Sequence, residues 1–439
     1  MTAGLGRRIA ALALPALVVL AAEPLYLLFD TAVIGRLGAV SLAGLAIGGL
    51  VVAMVSSQLT FLSYGTTARS ARLHGAGDRA GAVREGVQAT WLAIALGLLA
   101  IVVVQVAAAP VVRAIAGADG AVAQGALNWL RIAILAAPAI LISMAGNGWM
   151  RGVQDTARPL RFVVIGFGVS ALLCPPLVYG WLGFPRWGLE GSAVANVVGQ
   201  WLAAMLFLLA LHSERVPLAV SGRPDAPVLR AQVVMGRDLV VRTMAFQACF
   251  ISAAAVAARF GAAALAAHQV VLQLWSFLAL VLDSLAIAAQ SLVGAALGAG
   301  VVDDAKRVAL RVVGIAAVVA AALSAMLALG AGVLPRLFTG DREVLAAIGI
   351  PWWFLVAQLP VAGVVFALDG VLLGAGDAAF MRTATVVSAV VGFLPLTWLS
   401  LVFGWGLAGI WAGLSAFIAL RLVFGVWRTR SGRWAVPGT

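Results

Sequence analysis

Residues 9–34 read IAALALPALVVLAAEPLYLLFDTAVI, and the reading of this stretch decides the fold. Arg7 and Arg8 precede it and Ala21-Ala22 lie inside it, which mimics the basic, apolar, small-residue order of a secretory signal. A signal core stops after about 7–15 apolar residues, whereas this run continues past Glu23 to Ile34. It also resembles a later segment of the chain. We therefore read it as a first membrane span that is kept.

Working outward, eleven further apolar runs are separated by charged or Gly/Pro punctuation. They cover approximately 42–68, 84–111, 121–149, 159–182, 187–211, 237–260, 266–297, 306–334, 343–373, 381–403 and 405–427. A spanning helix needs roughly 20 apolar residues, so twelve spans with short loops nearly exhaust the 439 residues. Composition agrees: 63% of residues are hydrophobic and 10% charged, against about 25% charged in a soluble domain. The expected fold class is an all-α integral membrane protein of twelve transmembrane helices in two six-helix bundles, 1–212 and 237–439, joined by a cytoplasmic linker at 213–236 that is rich in Pro, Arg and Ser.

The net charge of +12 would suit nucleic acid, but the basic residues are scattered through short loops and read as topology signals. With the N-terminus inside, 22 of the 29 Lys and Arg fall on the cytoplasmic side. The other seven are Arg36, Arg113, Arg131, Arg186, Arg259, Arg336 and Arg342. This predicts both termini in the cytoplasm and a multi-pass protein of the plasma membrane, with no nucleic-acid partner. Cys174 and Cys249 both lie in apolar runs and read as small core residues.

The halves repeat at a spacing of about 222 residues. Arg36-Leu37-Gly38 aligns with Arg259-Phe260-Gly261, Gly152-Val153-Gln154-Asp155 with Gly374-Ala375-Gly376-Asp377, and Trp187-Gly188-Leu189 with Trp405-Gly406-Leu407. Six helices separate the copies, so the halves share an orientation and are related by a pseudo-two-fold axis along the membrane normal. Such a frame suits lobes that rock around a cavity.

The most specific stretches are Asp30-Thr31-Ala32-Val33-Ile34-Gly35-Arg36-Leu37-Gly38 with Leu42-Ala43-Gly44, Arg151-Gly152-Val153-Gln154-Asp155-Thr156, Ala266-Ala267-His268-Gln269, and Leu285-Ala286-Ile287-Ala288-Ala289-Gln290. In these the chain resembles the MATE (multidrug and toxic compound extrusion) family, and within it the DinF-like branch. The resemblance implies two bundles forming a V, alternating access, and efflux of drug-like organic compounds, often cationic amphiphiles, driven by inward H⁺ or Na⁺. It implies no cofactor beyond that ion. The chain is expected to act as a monomer in the bilayer.

Ionisable residues inside spans are costly and are functional candidates by default; here these are Glu23, Asp30, Asp283 and Asp369. Asp30 leads. Pro15 lies fifteen residues earlier in the same span and removes a backbone hydrogen bond, which permits a bend. The pair resembles the family's first-helix proline and aspartate. Away from bulk water a carboxyl disfavours its charged form, so a proton gained or lost there would change the preferred helix shape. The alternative is a topological end mark reaching water. By resemblance the remaining cation-coupling positions fall on Asn147, Ser170, Cys174 and Ser192, where Cys174 replaces a carboxylate and Ser170 an asparagine. Asp30 with two hydroxyls makes a poor Na⁺ site, which favours H⁺.

In the second half Asp369 resembles the family's tenth-helix aspartate. Asp283, Gln273 and Gln290 could line that lobe's cavity or simply bond between helices. Glu23 is open between helix packing and cavity lining. His268, at a span end, suits packing. Asp155 and Asp377 read as turn or N-cap residues. Trp129, Trp149, Trp201 and Trp275 could stack on aromatic cations, but interfacial anchoring is the favoured reading for each. No Gly-x-x-x-x-Gly-Lys-Ser/Thr run occurs and the sole lysine is Lys306, which excludes ATP drive by this chain alone. The sparse polar residues argue against an enzyme. The rival is a flippase or exporter of lipid-linked or polysaccharide precursors; such proteins usually carry a strongly cationic cavity, whereas the intraspan charges here read as chiefly acidic, with Arg131 the exception.

Overall fold

A computed structural model describes residues 2–117 and 119–438, with side chains from residue 4. Among the described residues no strand occurs and twelve helices are long and apolar enough to cross a membrane. They are α1 (Gly4–Gly35), α2 (Ala39–Gly75), α3 (Arg79–Ala116), α4 (Gly120–Gly152), α5 (Ala157–Tyr179), α6 (Leu189–Arg215), α7 (Ala226–Arg259), α8 (Ala262–Gly298), α9 (Val302–Leu329), α10 (Arg342–Gly374), α11 (Ala378–Phe403) and α12 (Leu407–Arg430). In hydrocarbon every backbone N–H and C=O must be satisfied inside the segment, and a helix does this.

Irregularities have local causes. In α2 the Thr60 hydroxyl bonds back to the Ser57 carbonyl at 2.9 Å, and the helix breaks there between Gln58 and Phe61. The 3₁₀ turn Ile134–Ala136 in α4 precedes Pro138, and the π-helical segment Ser388–Phe393 in α11 precedes Pro395; proline withholds the N–H that an even α-helix requires. Asp78, Asp119 and Asp341 cap helix starts, and Asp155 accepts from the amides of Ala157 and Arg158.

The repeat returns as matched backbone conformation. Gly38 has φ 113° and ψ 172°, and Gly261 has φ 105° and ψ 170°. Gly188 has φ 55° and ψ −131°, and Gly406 has φ 58° and ψ −142°. Gln154 at φ 63° occupies the left-handed position that Gly376 holds at φ 73°. These positive φ values are what a Cβ disfavours, so the shared punctuation is a shared turn geometry.

Contacts divide the chain into two compact units, a first of Leu14–Gly236 and a second of Met1–Ala13 with Arg237–Thr439. One boundary falls inside α1, beside Pro15. The stretch 216–225 is strapped to the first unit's own α3. Gln88 donates to the Arg223 carbonyl at 2.9 Å and accepts from the Asp225 amide at 2.8 Å, and Trp91 Nε1 donates to the Gly222 carbonyl at 2.9 Å. α7 begins eleven residues before the hydropathy-based start at 237, because its first turns carry Arg230 and Gln232 and do not register as apolar.

The core of the second unit gathers Trp352, Trp411, Phe393 and Leu355. Its closest helix contact is between α10 and α8. A Cβ on Gly370 would lie 2.2 Å from the Ala286 carbonyl oxygen, and one on Gly374 2.5 Å from that of Gln290. Small residues let backbones approach in membranes, where the lipid supplies no hydrophobic drive between helices. Gly370→Val is expected to destabilise by about 1–3 kcal/mol, read as a lowered unfolding temperature in detergent. Gly349→Ala in the same helix, with open space around it, leaves that temperature unchanged or slightly raised. Equal midpoints for Gly370→Val and the parent would refute the close packing.

Candidate functional site

Asp30 is 2% exposed, one and a half turns before α1 ends. Two donors reach its carboxylate from other helices. Ser192 Oγ, in the first turn of α6, donates to Oδ2 at 3.1 Å. Cys174 Sγ, on α5, donates to Oδ1 at 3.4 Å. Behind Ser192, Trp129 Nε1 of α4 donates to the serine oxygen at 3.0 Å. An indole N–H can only donate, so Ser192 accepts from Trp129 and its single proton goes to Asp30. The direction of the chain Trp129→Ser192→Asp30 is thereby fixed. Tyr179, at the end of α5, donates to the Val33 carbonyl at 2.6 Å and ties the same end of α1.

Close crossings position these groups. A Cβ on Gly199 of α6 would lie 2.0 Å from Ser170 Oγ and 2.4 Å from the Gly166 carbonyl oxygen, so α5 and α6 meet nearly backbone to backbone. Ser170 and Tyr26 are buried, each one turn from the carboxylate cluster along its own helix. Tyr26 packs on Phe167 with ring centroids 5.4 Å apart. The Tyr26 hydroxyl faces that of Ser170.

The structure thus brings together Asp30, Cys174 and Ser192, with Ser170 one turn away. It does not bring Asn147 to them. Asn147 lies eighteen residues beyond Trp129 on α4, about 27 Å along a helix, next to Gly148, whose added Cβ would meet the Ser63 carbonyl oxygen at 2.5 Å. Pro15 is joined by a second proline inside α1, Pro24, so two steps of that helix lack a donor. Glu23 is exposed on the same helix.

In the second unit Asp369 of α10 pairs with Arg242 of α7 at 2.6 Å and with Arg421 of α12. Gln290 is buried, Asp283 is half-buried and Gln273 is exposed. His268 is 3% exposed and packs edge-on to Trp411 at 5.9 Å. Sequence reading missed Tyr26, whose spacing of four from Asp30 places it on the same helix face. It also missed Arg242 and Arg421, which hydropathy assigns to loop edges.

Among the described residues, the other two buried carboxylates both face arginine. Glu85 meets Arg69 at 2.5 Å and Gln232 at 2.8 Å, and Asp238 meets Arg382 at 2.6 Å. Asp30 is held by a hydroxyl and a thiol.

A family model described as MatE matches residues 15–175 and 239–399. Over 98% of this chain and 84% of the relative, the sequence is 34% identical to Protein DETOXIFICATION 44, chloroplastic, of Arabidopsis thaliana. It is 31% identical to DNA damage-inducible protein F of Escherichia coli strain K12, over 96% of this chain and 92% of that one. A solved structure described as MATE in the bent conformation matches with a TM-score of 0.88 at 23% identity, covering 98% of this chain and 96% of that one.

The relay is testable by a double-mutant cycle on unfolding in detergent. Trp129→Phe and Ser192→Ala together are expected to cost less than the sum of the single changes, with a coupling on the order of 1 kcal/mol. Additive effects would show that the indole and the hydroxyl are not bonded.

Proposed function

The chain belongs to the MatE family, and on that premise we propose that it is a secondary active exporter of drug-like organic compounds, in which H⁺ entering through Asp30 drives cargo outward by alternating access. The observation that carries the reading is the setting of Asp30, a carboxylate 2% exposed inside a span and bonded, among the described residues, by neutral side chains of α5 and α6.

A proton on Asp30 turns an acceptor oxygen into a donor. Ser192 already accepts from Trp129, and a thiol sulfur is a weak acceptor. One of the two bonds from α5 and α6 must then rearrange. α1 carries Pro15 and Pro24, so two of its own backbone hydrogen bonds are missing. Protonation is in this way linked to the shape of α1. Hard metal cations take several oxygen ligands, and Asp30 meets one hydroxyl oxygen and a sulfur, which supports H⁺ over Na⁺.

The 22 to 7 division of Lys and Arg supports a cell membrane location with both termini in the cytoplasm. Asp30, Cys174 and Ser192 all belong to one chain, which supports action as a monomer. For a carrier of lipid-linked anions one expects a broadly cationic cavity; among the described residues the buried arginines are only Arg151 and Arg421, and Arg421 is paired with Asp369.

In liposomes, efflux of ethidium is expected to follow an imposed pH gradient at constant Na⁺. A Na⁺ gradient at constant pH should drive none. Asp30→Asn should abolish the pH-driven flux while the protein still inserts and elutes as a single folded species. Wild-type flux from well-inserted Asp30→Asn, or transport driven by Na⁺ alone, would overturn the coupling role.

A further inference from the structure

Two arginines lie inside the second unit, and their arrangement has a polarity. Arg421 is 8% exposed. One of its terminal nitrogens bonds Asp369, whose same carboxylate oxygen accepts from Arg242 Nη2 at 2.6 Å. The Arg421 guanidinium carbon stands 4.8 Å from the ring centre of Phe246 and 5.4 Å from that of Phe417. Stacked between rings and paired at one corner, the guanidinium is locked in place.

Next to it is a cavity of about 300 Å³, at the small end of ligand sites. Its wall is aromatic: Phe246, Phe250, Trp275, Phe366 and Phe417. Arg421 is the one charged residue in the lining. No aspartate or glutamate is among those lining residues, so the charge the cavity meets is a cation.

A guanidinium has five N–H donors in a planar fork that matches a carboxylate, and Asp369 takes one nitrogen of it. An organic cation entering this cavity would face Arg421 with no lining acid to receive it. We propose that this cavity is a binding subsite for anionic aromatic compounds. Their rings pack among Phe250, Trp275 and Phe366, and their carboxylate takes the donors of Arg421 that Asp369 leaves unused. The inference rests on the export reading for its physiological meaning, but the binding it describes needs no gradient.

The test is calorimetric titration of the full chain in phosphatidylcholine nanodiscs, with empty nanodiscs subtracted. Three matched probes are used: 2-naphthoate, 2-naphthylmethanol and 2-naphthylmethylammonium. Naphthoate is expected to bind at least ~10-fold tighter than the ammonium probe, as a charge-assisted fork contact allows. The charge-pair variant, Arg421→Gln and Arg242→Gln with Asp369→Asn, removes all three charges of the cluster and should erase that preference while naphthylmethanol still binds, since its ring contacts with Phe250, Trp275 and Phe366 need no charge. Ala279→Trp fills the cavity without touching the ion pairs and should abolish binding of all three. Tighter or equal binding of the ammonium probe, no binding of any probe, or binding that survives Ala279→Trp would overturn the proposal; so would a naphthoate preference that survives the charge-pair variant. The wild-type comparison decides the charge class even if a variant fails to fold. Loss of coupling at Asp30 leaves these affinities unmoved, so failure of the export reading and failure of this one are told apart.

Discussion

Inside hydrocarbon no water competes for a polar group, so each buried donor, acceptor and charge must find its partner within the chain. This constraint makes the protein helical, and it also sorts its charges. Glu85 is closed by Arg69 and Gln232, and Asp238 by Arg382. Asp369 is closed by two arginines. Each of these carboxylates has its counter-charge from the chain, and removing one partner would strand the other. Asp30 has a hydroxyl and a thiol instead. Among the described residues no arginine or lysine bonds it, which is the basis for the proposed proton there.

The same constraint bears on α1, the helix to which the proposal assigns the movement. Two prolines remove two of its internal bonds, and near its end it is tied to α5 and α6 by Ser192, Cys174 and Tyr179. Two of those three ties end on one titratable group. Under the proposed coupling, a helix with weakened internal bonding and a protonation-dependent anchor would take two shapes close in energy.

The spans and the repeat were legible in the sequence because both are written locally. Apolar runs of span length can be counted, and a turn at positive φ calls for glycine, so Gly38 and Gly261 or Gly188 and Gly406 stand out as matched punctuation. Asp30, Cys174 and Ser192 could be named as one site by resemblance, but the direction of the relay through Trp129 could not, since it depends on which side chain faces the serine. Asn147 illustrates the reverse: a polar residue in a suitable span whose depth only the helix register reveals. Arg242 and Arg421 were hidden for another reason. Hydropathy treats arginine as a loop marker, and the aspartate that permits their burial is 127 and 52 residues away in sequence.

What divides the halves is therefore side-chain chemistry on a shared backbone. Turn geometry is hard to change, because a positive φ tolerates few residues; interior side chains can change whenever a new partner closes the charge. The position matching Asp30 in the second half is Ala253, and the one matching Asp369 in the first is Asn147. One unit thus holds a carboxylate that the chain leaves without a cation, and the other holds a guanidinium turned toward an aromatic cavity. An anionic ligand at Arg421 and a proton at Asp30 do not compete for one group. Placing them in different units lets each be optimised for its own charge, and any link between them has to run through conformation rather than direct displacement.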